Sequence, residues 1–210
     1  MGAAPREPSA AERIDPRERR SRAAIVSAVI DLVTERASTE FSVTDLAKAA
    51  GVSRRVLYEH YGDRDGAVIA AAMDLVTREL AVEISELDRA DAASTARVVE
   101  MIAPFAQHVA QHRRFYRAVL TGSCAYQLQQ RVSAFFMPFS RDAALQTYGD
   151  LDEATVAEVA DYFTAGTTMS FINWIREGPE PLDPQEFAER LGRIQSILAP
   201  AEAPLSRDQS

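Results

Sequence analysis

The chain has 210 residues, with 23 Lys and Arg against 31 Asp and Glu, and a formal net charge of −8. Its 47% apolar and 26% charged residues are typical of a folded globular protein rather than a disordered one. The longest apolar run, residues 67–73, is far shorter than the roughly 20 residues of a membrane-spanning helix. The N-terminal stretch lacks the apolar segment of a secretory signal, and Cys124, the single cysteine, excludes a disulfide framework. We therefore expect a cytoplasmic protein with no membrane partner.

The positions of proline and glycine predict an all-α fold. Only Pro104 and Pro138 lie between residues 17 and 178, so the middle of the chain can form long helices. Glycines follow helix-like stretches at positions 51, 62, 122, 149 and 178, as expected of C-terminal caps. The apolar periodicity predicts about nine helices, with Pro138 kinking or splitting the seventh. They span residues 17–36, 43–50, 54–61, 65–87, 95–111, 114–121, 126–148, 153–177 and 185–198.

Residues 42–66 have the pattern of a helix-turn-helix. Ser42 and Asp45 have the spacing of a capping box, which begins a helix that must end before Gly51. Ser53 can then cap a second short helix, after a turn in which Gly51 suits a left-handed conformation. Two short helices joined in this way form the motif that places its second helix in the major groove of DNA.

The outer face of the second helix has the chemistry for reading DNA. Arg54 and Arg55 can each bond a guanine edge with both prongs of a guanidinium, and hydroxyls and cations can hold phosphates. Donors suitably spaced for the DNA backbone are Ser42, Thr44, Ser53, Tyr58, His60 and Arg64. Residues 1–66 carry 11 basic and 11 acidic side chains, so no bulk positive charge supports this interpretation. The alternative is an ordinary αα-hairpin with a solvated charged face.

Residues 21–66 resemble the DNA-binding domain of the TetR family of transcriptional regulators. The resemblance rests on AAIVSAVIDLV and on FSVTDLAKAAGVSRRVLYEHYGDRDG, and FTAGTTMSFINWIREGPEPLDPQEFAERL is similar to the family's last two helices. It implies a dimeric repressor that a small-molecule effector releases from a palindromic operator. It also places Ser53, Arg54, Arg55 and Val56 at the groove edge, with Ser42 and Thr44 as further contacts. The family often has Gly-Thr where this chain has Arg55-Val56, a departure that bears on the target sequence.

The domain organisation follows from the same resemblance. We expect a helix-turn-helix DNA-binding domain at residues 16–66 and an effector-binding and dimerisation domain at residues 67–199. Residues 1–15 and 200–210 are expected to be a disordered leader and tail.

Apolar stripes on the last two predicted helices suggest a dimer interface, because a DNA-reading helix gains affinity and specificity from a second half-site. The expected interface residues are Phe163, Gly166, Ser170, Trp174, Phe187, Leu191 and Ile194. The alternative is that both stripes pack within the subunit.

The middle helices are rich in aromatic side chains, and the resemblance implies an effector pocket there. The candidate lining residues are Phe105, Phe115, Tyr116, Tyr126, Phe135, Phe136, Phe139 and Met169. Aromatic residues at helical spacing are also typical of a plain core, so either role remains open for each of them.

Other chemistries lack support in the sequence. His108 and His112 are four residues apart on a predicted helix, but no third metal ligand is evident, so we expect no metal site. No phosphate-binding loop, dinucleotide fingerprint or nucleophile elbow occurs, so we expect neither a cofactor nor an enzyme. The alternatives to a ligand-released repressor are a ligand-independent regulator and a helical protein-binding adaptor. An adaptor would tolerate loss of the Arg54-Arg55-Tyr58 face.

Overall fold

The computed structural model describes residues 15–87, 95–148 and 151–198, and these ranges form ten helices and no strand. The expected disordered leader and tail lie, except for Asp15, outside the described residues, as does Gly149. The helices are α1 Pro16–Arg36, α2 Val43–Ala49, α3 Arg54–Tyr61, α4 Arg64–Glu79, α5 Ala81–Leu87, α6 Thr95–Gln111, α7 Arg113–Thr121, α8 Ala125–Thr147, α9 Glu153–Glu177 and α10 Pro184–Leu198. The predicted all-α fold with an N-terminal helix-turn-helix is confirmed.

The first four helices share one hydrophobic core. α1 buries Ile25, Val29 and Val33 at helical spacing, and these pack in the same cluster as Leu46 of α2 and Leu57 of α3. α4 lies along α1 and adds an apolar stripe of small and branched side chains: Ala67, Val68, Ala71, Ala72 and Leu75. Because the apolar side of α3 is used in this core, its polar side is directed outward.

The structure corrects one predicted helix and excludes one of two alternatives for another. The predicted helix 65–87 breaks at Leu80, which leaves helical conformation at φ −111° and ψ 25° and is buried, so α4 and α5 are separate. No glycine or proline marks this break, so the apolar pattern could not show it. Conversely, α8 continues through Pro138 as one helix and is not split, although proline removes a backbone donor.

Four of the last five helices pack in two pairs. α8 packs along α9, and α10 packs along α6. The indole of Trp174 stacks on the ring of Phe187 with 4.2 Å between centroids, which joins the end of α9 to the start of α10. Tyr148, just before α9, donates its hydroxyl to the carbonyl of Leu198 at the end of α10, at 3.4 Å. These contacts connect the start of α10 to α9 and the end of α10 to the end of α8. Among the described residues, no helix is long and apolar enough to cross a membrane.

Candidate nucleic-acid interface

Local hydrogen bonds begin both helices of the motif. The Ser42 hydroxyl accepts the backbone N–H of Asp45 at 3.0 Å, and the Asp45 carboxylate accepts the N–H of Ser42 at 3.2 Å. The hydroxyl of Ser53 accepts the N–H of Val56 at 3.3 Å and caps α3. Gly51 has a φ of 65°, the left-handed conformation expected at this turn. The capping box, the turn and the second cap are therefore as predicted.

The outer face of the motif is polar and open. Six of the predicted DNA contacts are exposed: Ser42, Thr44, Ser53, Arg54, Arg55 and Tyr58. The side chain of Arg55 is 87% exposed, and Tyr58 keeps half of its surface accessible although it lies on a helix that packs into the core. Val56 is half-buried and packs against the core, which turns it away from this open face. The exposed side chains can reach a partner without rearrangement of the fold.

An acidic residue lies on the same face and pairs with Arg55. The guanidinium Nε of Arg55 donates to the Glu59 carboxylate at 2.7 Å, one helical turn along α3. This hydrogen bond raises the pKa of the Arg55 guanidinium above its ordinary value. Glu59 was not among the predicted site residues, although the four-residue spacing of opposite charges is a recognisable signal. A base contact by Arg55 would compete with this ion pair.

His60 lies closer to α1 than to the open face. Its side chain is mostly buried, and Nδ1 lies 4.0 Å from the carboxylate of Glu18 on α1. The neighbouring Tyr61 donates its hydroxyl to the carbonyl of Arg22 at 3.4 Å, so the end of α3 is attached to α1. Of the predicted backbone contacts, His60 is therefore much less accessible than Tyr58.

Arg64, the first residue of α4, forms a bridge between the helix-turn-helix and the later helices. Its guanidinium donates to Asp65 at 2.9 Å, to the carbonyl of Phe41 at 3.4 Å and to the hydroxyl of Ser123 at 3.1 Å. A longer contact of 3.5 Å reaches Glu40. Ser123 in turn donates to Asp65 at 2.6 Å. The guanidinium expected to hold a phosphate is thus engaged inside the chain.

Two further contacts connect the same regions. Arg114 of α7 donates to the carbonyl of Glu35 in the last turn of α1 at 2.9 Å. A Cβ built on Gly122 would lie 2.2 Å from the hydroxyl oxygen of Thr39, so only glycine fits where the α7–α8 turn meets the α1–α2 loop. The helix-turn-helix is therefore attached to α7 and the start of α8 by direct polar and steric contacts.

Residues 98–196 match a family model, TetR_C_8, described as the C-terminal region of transcriptional regulators. This region contains most of α6 and all of α7 to α9, and it follows the helix-turn-helix described above. The match covers just under half of the chain and supports a TetR-family regulator. A comparison with curated protein sequences found no significant match.

Solved structures of transcriptional regulators share the fold. The repressor AlkX from Dietzia sp. strain DQ12-45-1b, implicated in n-alkane biodegradation, has a TM-score of 0.59 and 23% identity, over 84% of this chain and 94% of that one. NalD, the secondary repressor of the MexAB-OprM multidrug efflux pump in Pseudomonas aeruginosa, has a TM-score of 0.59 and 18% identity, over 89% and 99%. The dihydroxyacetone kinase operon activator DhaS has a TM-score of 0.56 and 12% identity, over 86% of this chain and 98% of that one. Repressors and an activator share this fold, so the fold does not decide the direction of regulation.

The TetR-type regulatory region buries much of the stripe expected at a dimer interface. Trp174, Phe187 and Leu191 belong to the core of the subunit, as the alternative in our sequence analysis had it. Gly166 and Ile194 are exposed, and Phe163 and Ser170 are half-buried. Other apolar side chains on the same two helices are exposed: Tyr162 and Met169 on α9, and Ile197 and Leu198 on α10. An outward apolar surface therefore exists, but its main members differ from those that we expected.

The predicted pocket residues divide into three groups. Phe115 and Tyr116 are fully buried in the main core, and Phe105 is buried with its ring 5.1 Å from that of Phe136. Tyr126 and Met169 are exposed. Half-buried rings form a third group on one stretch of α8: Phe135, Phe136 and Phe139. Cys124 is fully buried, and this burial raises the pKa of its thiol to about 11, so the thiol stays protonated at neutral pH.

A polar cluster joins α4 to α6. The Glu79 carboxylate oxygen Oε2 lies 3.1 Å from Nδ1 of His108 and 2.7 Å from Nε2 of His112. The remaining ring nitrogen of His108 lies 2.7 Å from the hydroxyl of Tyr116. Burial lowers the pKa of His108, and the charge of His112 lowers it further, so the His108 ring is neutral at pH 7. The premise that no third ligand accompanies the two histidines was wrong, because Glu79 comes from another helix.

Proposed function

We propose that the protein is a TetR-family transcriptional regulator and acts as a cytoplasmic homodimeric repressor. Each subunit reads one half of a palindromic operator with α3, and a small-molecule effector releases the DNA. In this proposal residues 16–66 form the DNA-binding domain and residues 67–199 the effector and dimerisation domain. The observation that carries it is the outer face of α3, where Arg54, Arg55 and Tyr58 are exposed while the opposite face is packed into the core.

The chemistry of this face fits the major groove. Arg54 and Arg55 occupy the first turn of α3, the part of a recognition helix that reaches base edges. An arginine can bond guanine O6 and N7 together, which favours guanine in the contacted position. Ser42, Thr44 and Tyr58 offer hydroxyl donors for phosphates on either side. In the free protein, Arg55 donates a hydrogen bond to the Glu59 carboxylate at 2.7 Å. Arg55 therefore contacts a base only at DNA sites where that contact is stronger than the ion pair with Glu59.

The exposed apolar surface of α9 and α10 fits a second copy of the chain. Tyr162, Gly166 and Met169 follow helical spacing on the side of α9 away from its buried stripe, and Ile197 is 79% exposed on α10. A Cβ at Gly166 would meet no atom within 4 Å, so another helix can approach closely there. Two helices from each subunit would form a four-helix bundle and set the spacing of the two α3 helices.

Effector release requires that a change in the regulatory helices reaches the helix-turn-helix. The contacts of Arg64 with Ser123, and of Arg114 with Glu35, supply a direct connection. An effector releases DNA if it binds more tightly to the arrangement in which the two α3 helices are misplaced for the operator.

Selection of bound DNA from a random library tests the proposal. The purified protein at near-physiological salt is expected to enrich a palindrome whose half-sites lie about 10 bp, or a small multiple of it, apart. An Arg54→Ala, Arg55→Ala double variant should enrich no sequence, whereas Arg131→Ala, which removes an exposed arginine of α8, should enrich the same palindrome. Equal behaviour of the double variant and the wild type would contradict the proposal and favour a protein-binding adaptor.

A further inference from the structure

The cluster between α4 and α6 has the composition of a transition-metal site. One carboxylate and two imidazoles, from Glu79, His108 and His112, place their ligand atoms within 4.8 Å of one another. Imidazole and carboxylate together suit Zn²⁺ and its neighbours in the first transition series better than Mg²⁺ or Ca²⁺. We propose that these three residues bind a divalent transition-metal ion and that this ion acts as an effector. The effector role rests on the proposed function above.

The distances are close to those that a metal ion needs. In a tetrahedral site with bonds of about 2.1 Å, neighbouring ligand atoms lie roughly 3.4 Å apart. The two observed separations from Glu79 Oε2, 3.1 Å to His108 and 2.7 Å to His112, are shorter because hydrogen bonds join these atoms in the metal-free arrangement. Small side-chain rotations would open both separations enough to admit an ion.

Tyr116 supplies the support that a metal-binding histidine usually has. A ligating imidazole donates its other ring N–H to a fixed acceptor, which sets its tautomer and orientation. Nε2 of His108 lies 2.7 Å from the Tyr116 hydroxyl, and both side chains are buried. With Nδ1 bound to the ion, Nε2–H donates to the Tyr116 oxygen. Without the ion, the hydroxyl can donate to Nε2 while Nδ1–H donates to Glu79, so the hydrogen bond between His108 and Tyr116 is kept in both states.

The site is reachable from solvent on one side. His108 is only 3% exposed, whereas the side chains of Glu79 and His112 are 35% and 28% exposed. An ion can therefore enter past Glu79 and His112 and bind against His108. Three protein ligands leave at least one coordination position for water.

The position of the cluster connects it to DNA binding. Glu79 is the last residue of α4, and Arg64 at the other end of that helix holds the bridge to Ser123 and Phe41. An ion held between α4 and α6 would favour one placement of α4 relative to the regulatory helices. Because α4 also packs along α1, that preference reaches the helix-turn-helix. We expect the ion to weaken operator binding by about 5- to 150-fold, the usual range of coupling between two sites.

Metal binding is tested first, without DNA, on protein that carries no purification tag. Titration with Co²⁺ should produce visible absorption that saturates at one ion per subunit, and Zn²⁺ should displace it. Glu79→Gln and His112→Ala should abolish this signal, and Tyr116→Phe should weaken Co²⁺ binding about 10- to 100-fold. The controls Glu83→Gln, one helical turn beyond Glu79, and Gln111→Ala, beside His112, should bind as the wild type does.

Operator binding is then measured with and without Zn²⁺ on the same proteins. Weaker binding in Zn²⁺ for the wild type and both controls, with no change for Glu79→Gln and His112→Ala, supports the effector role. Absence of saturable Co²⁺ binding, or binding that survives loss of Glu79 and His112, overturns the site. A bound ion with unchanged operator affinity overturns the effector role alone. Failure of metal-free protein to bind any operator would contradict the proposed function instead.

Discussion

The outer face of α3 and the outer face of α9 and α10 present opposite kinds of surface. α3 directs two arginines and a tyrosine to solvent, with one carboxylate beside them. The last two helices bury their largest rings, Trp174 and Phe187, and expose smaller apolar side chains such as Ile197. The first surface suits a polyanion and the second suits another apolar surface. The two surfaces therefore suit the two different partners that we propose, DNA and a second subunit.

The largest expected effect tests whether the stacked rings of Trp174 and Phe187 belong to the subunit core. Phe187 is fully buried and stacks on Trp174 at 4.2 Å, so Phe187→Ala should lower the free energy of unfolding by about 3–5 kcal/mol. Urea denaturation followed by circular dichroism measures this loss. A loss below about 1 kcal/mol would mean that the ring is not part of the packed core.

The second prediction addresses the exposed side of the same helices. Ile197→Asp should leave the helical content unchanged, because the side chain lies in solvent in the subunit. It should weaken the dimer at least about tenfold, because each interface would contain a buried charge from both copies. Sedimentation velocity at several concentrations measures the dissociation constant. The exposed Gln127→Asp on α8, which also adds one negative charge, serves as the control, and an unchanged dimer in Ile197→Asp would place the interface elsewhere.

A smaller effect is expected at the bridge between the helix-turn-helix and the later helices. Ser123 donates to Asp65 at 2.6 Å and accepts from Arg64 at 3.1 Å. Ser123→Ala removes both hydrogen bonds at a partly exposed site and should lower the free energy of unfolding by about 1 kcal/mol. The exposed Ser27→Ala on α1 should cost little. Equal stability of the two variants would show that the bridge contributes nothing to the connection between the regions.

The smallest effect concerns acid and the capping box. Hydrogen bonds from Ser42, with the backbone N–H contributing most, hold the pKa of Asp45 below its ordinary value of 3.8. Since the folded-state pKa is the lower one, the stabilisation is present above pH 3.8 and is lost as the pH falls through the folded value. Asp45→Asn should therefore reduce the difference in stability between pH 6 and pH 3. An identical pH dependence in wild type and variant would contradict this role.

The parts of the site that the sequence predicted are those decided by near neighbours. The caps at Ser42 and Ser53 and the turn at Gly51 depend on residues within three positions, and each was confirmed. Helix caps can be predicted from the sequence because a cap satisfies backbone donors of its own helix.

The parts that could not be predicted depend on distant contacts. Arg64 meets Ser123 across 59 positions, and Glu79 meets His108 across 29. The last two helices have apolar side chains on more than one face, so periodicity alone could not separate core from outer surface. Only the packing of α10 on α6, and of α8 on α9, decides that Phe187 lies inside and Ile197 outside.

The central claim is that the outer face of α3 reads DNA, and the Arg55→Ala variant tests it most directly. Sequence selection and affinity measurements with this variant should show a loss of about 1–3 kcal/mol and a relaxed preference at one base pair in each half-site. The matched Arg131→Ala variant should keep the wild-type preference and affinity. An Arg55→Ala protein that selects the wild-type sequence with wild-type affinity would contradict the account.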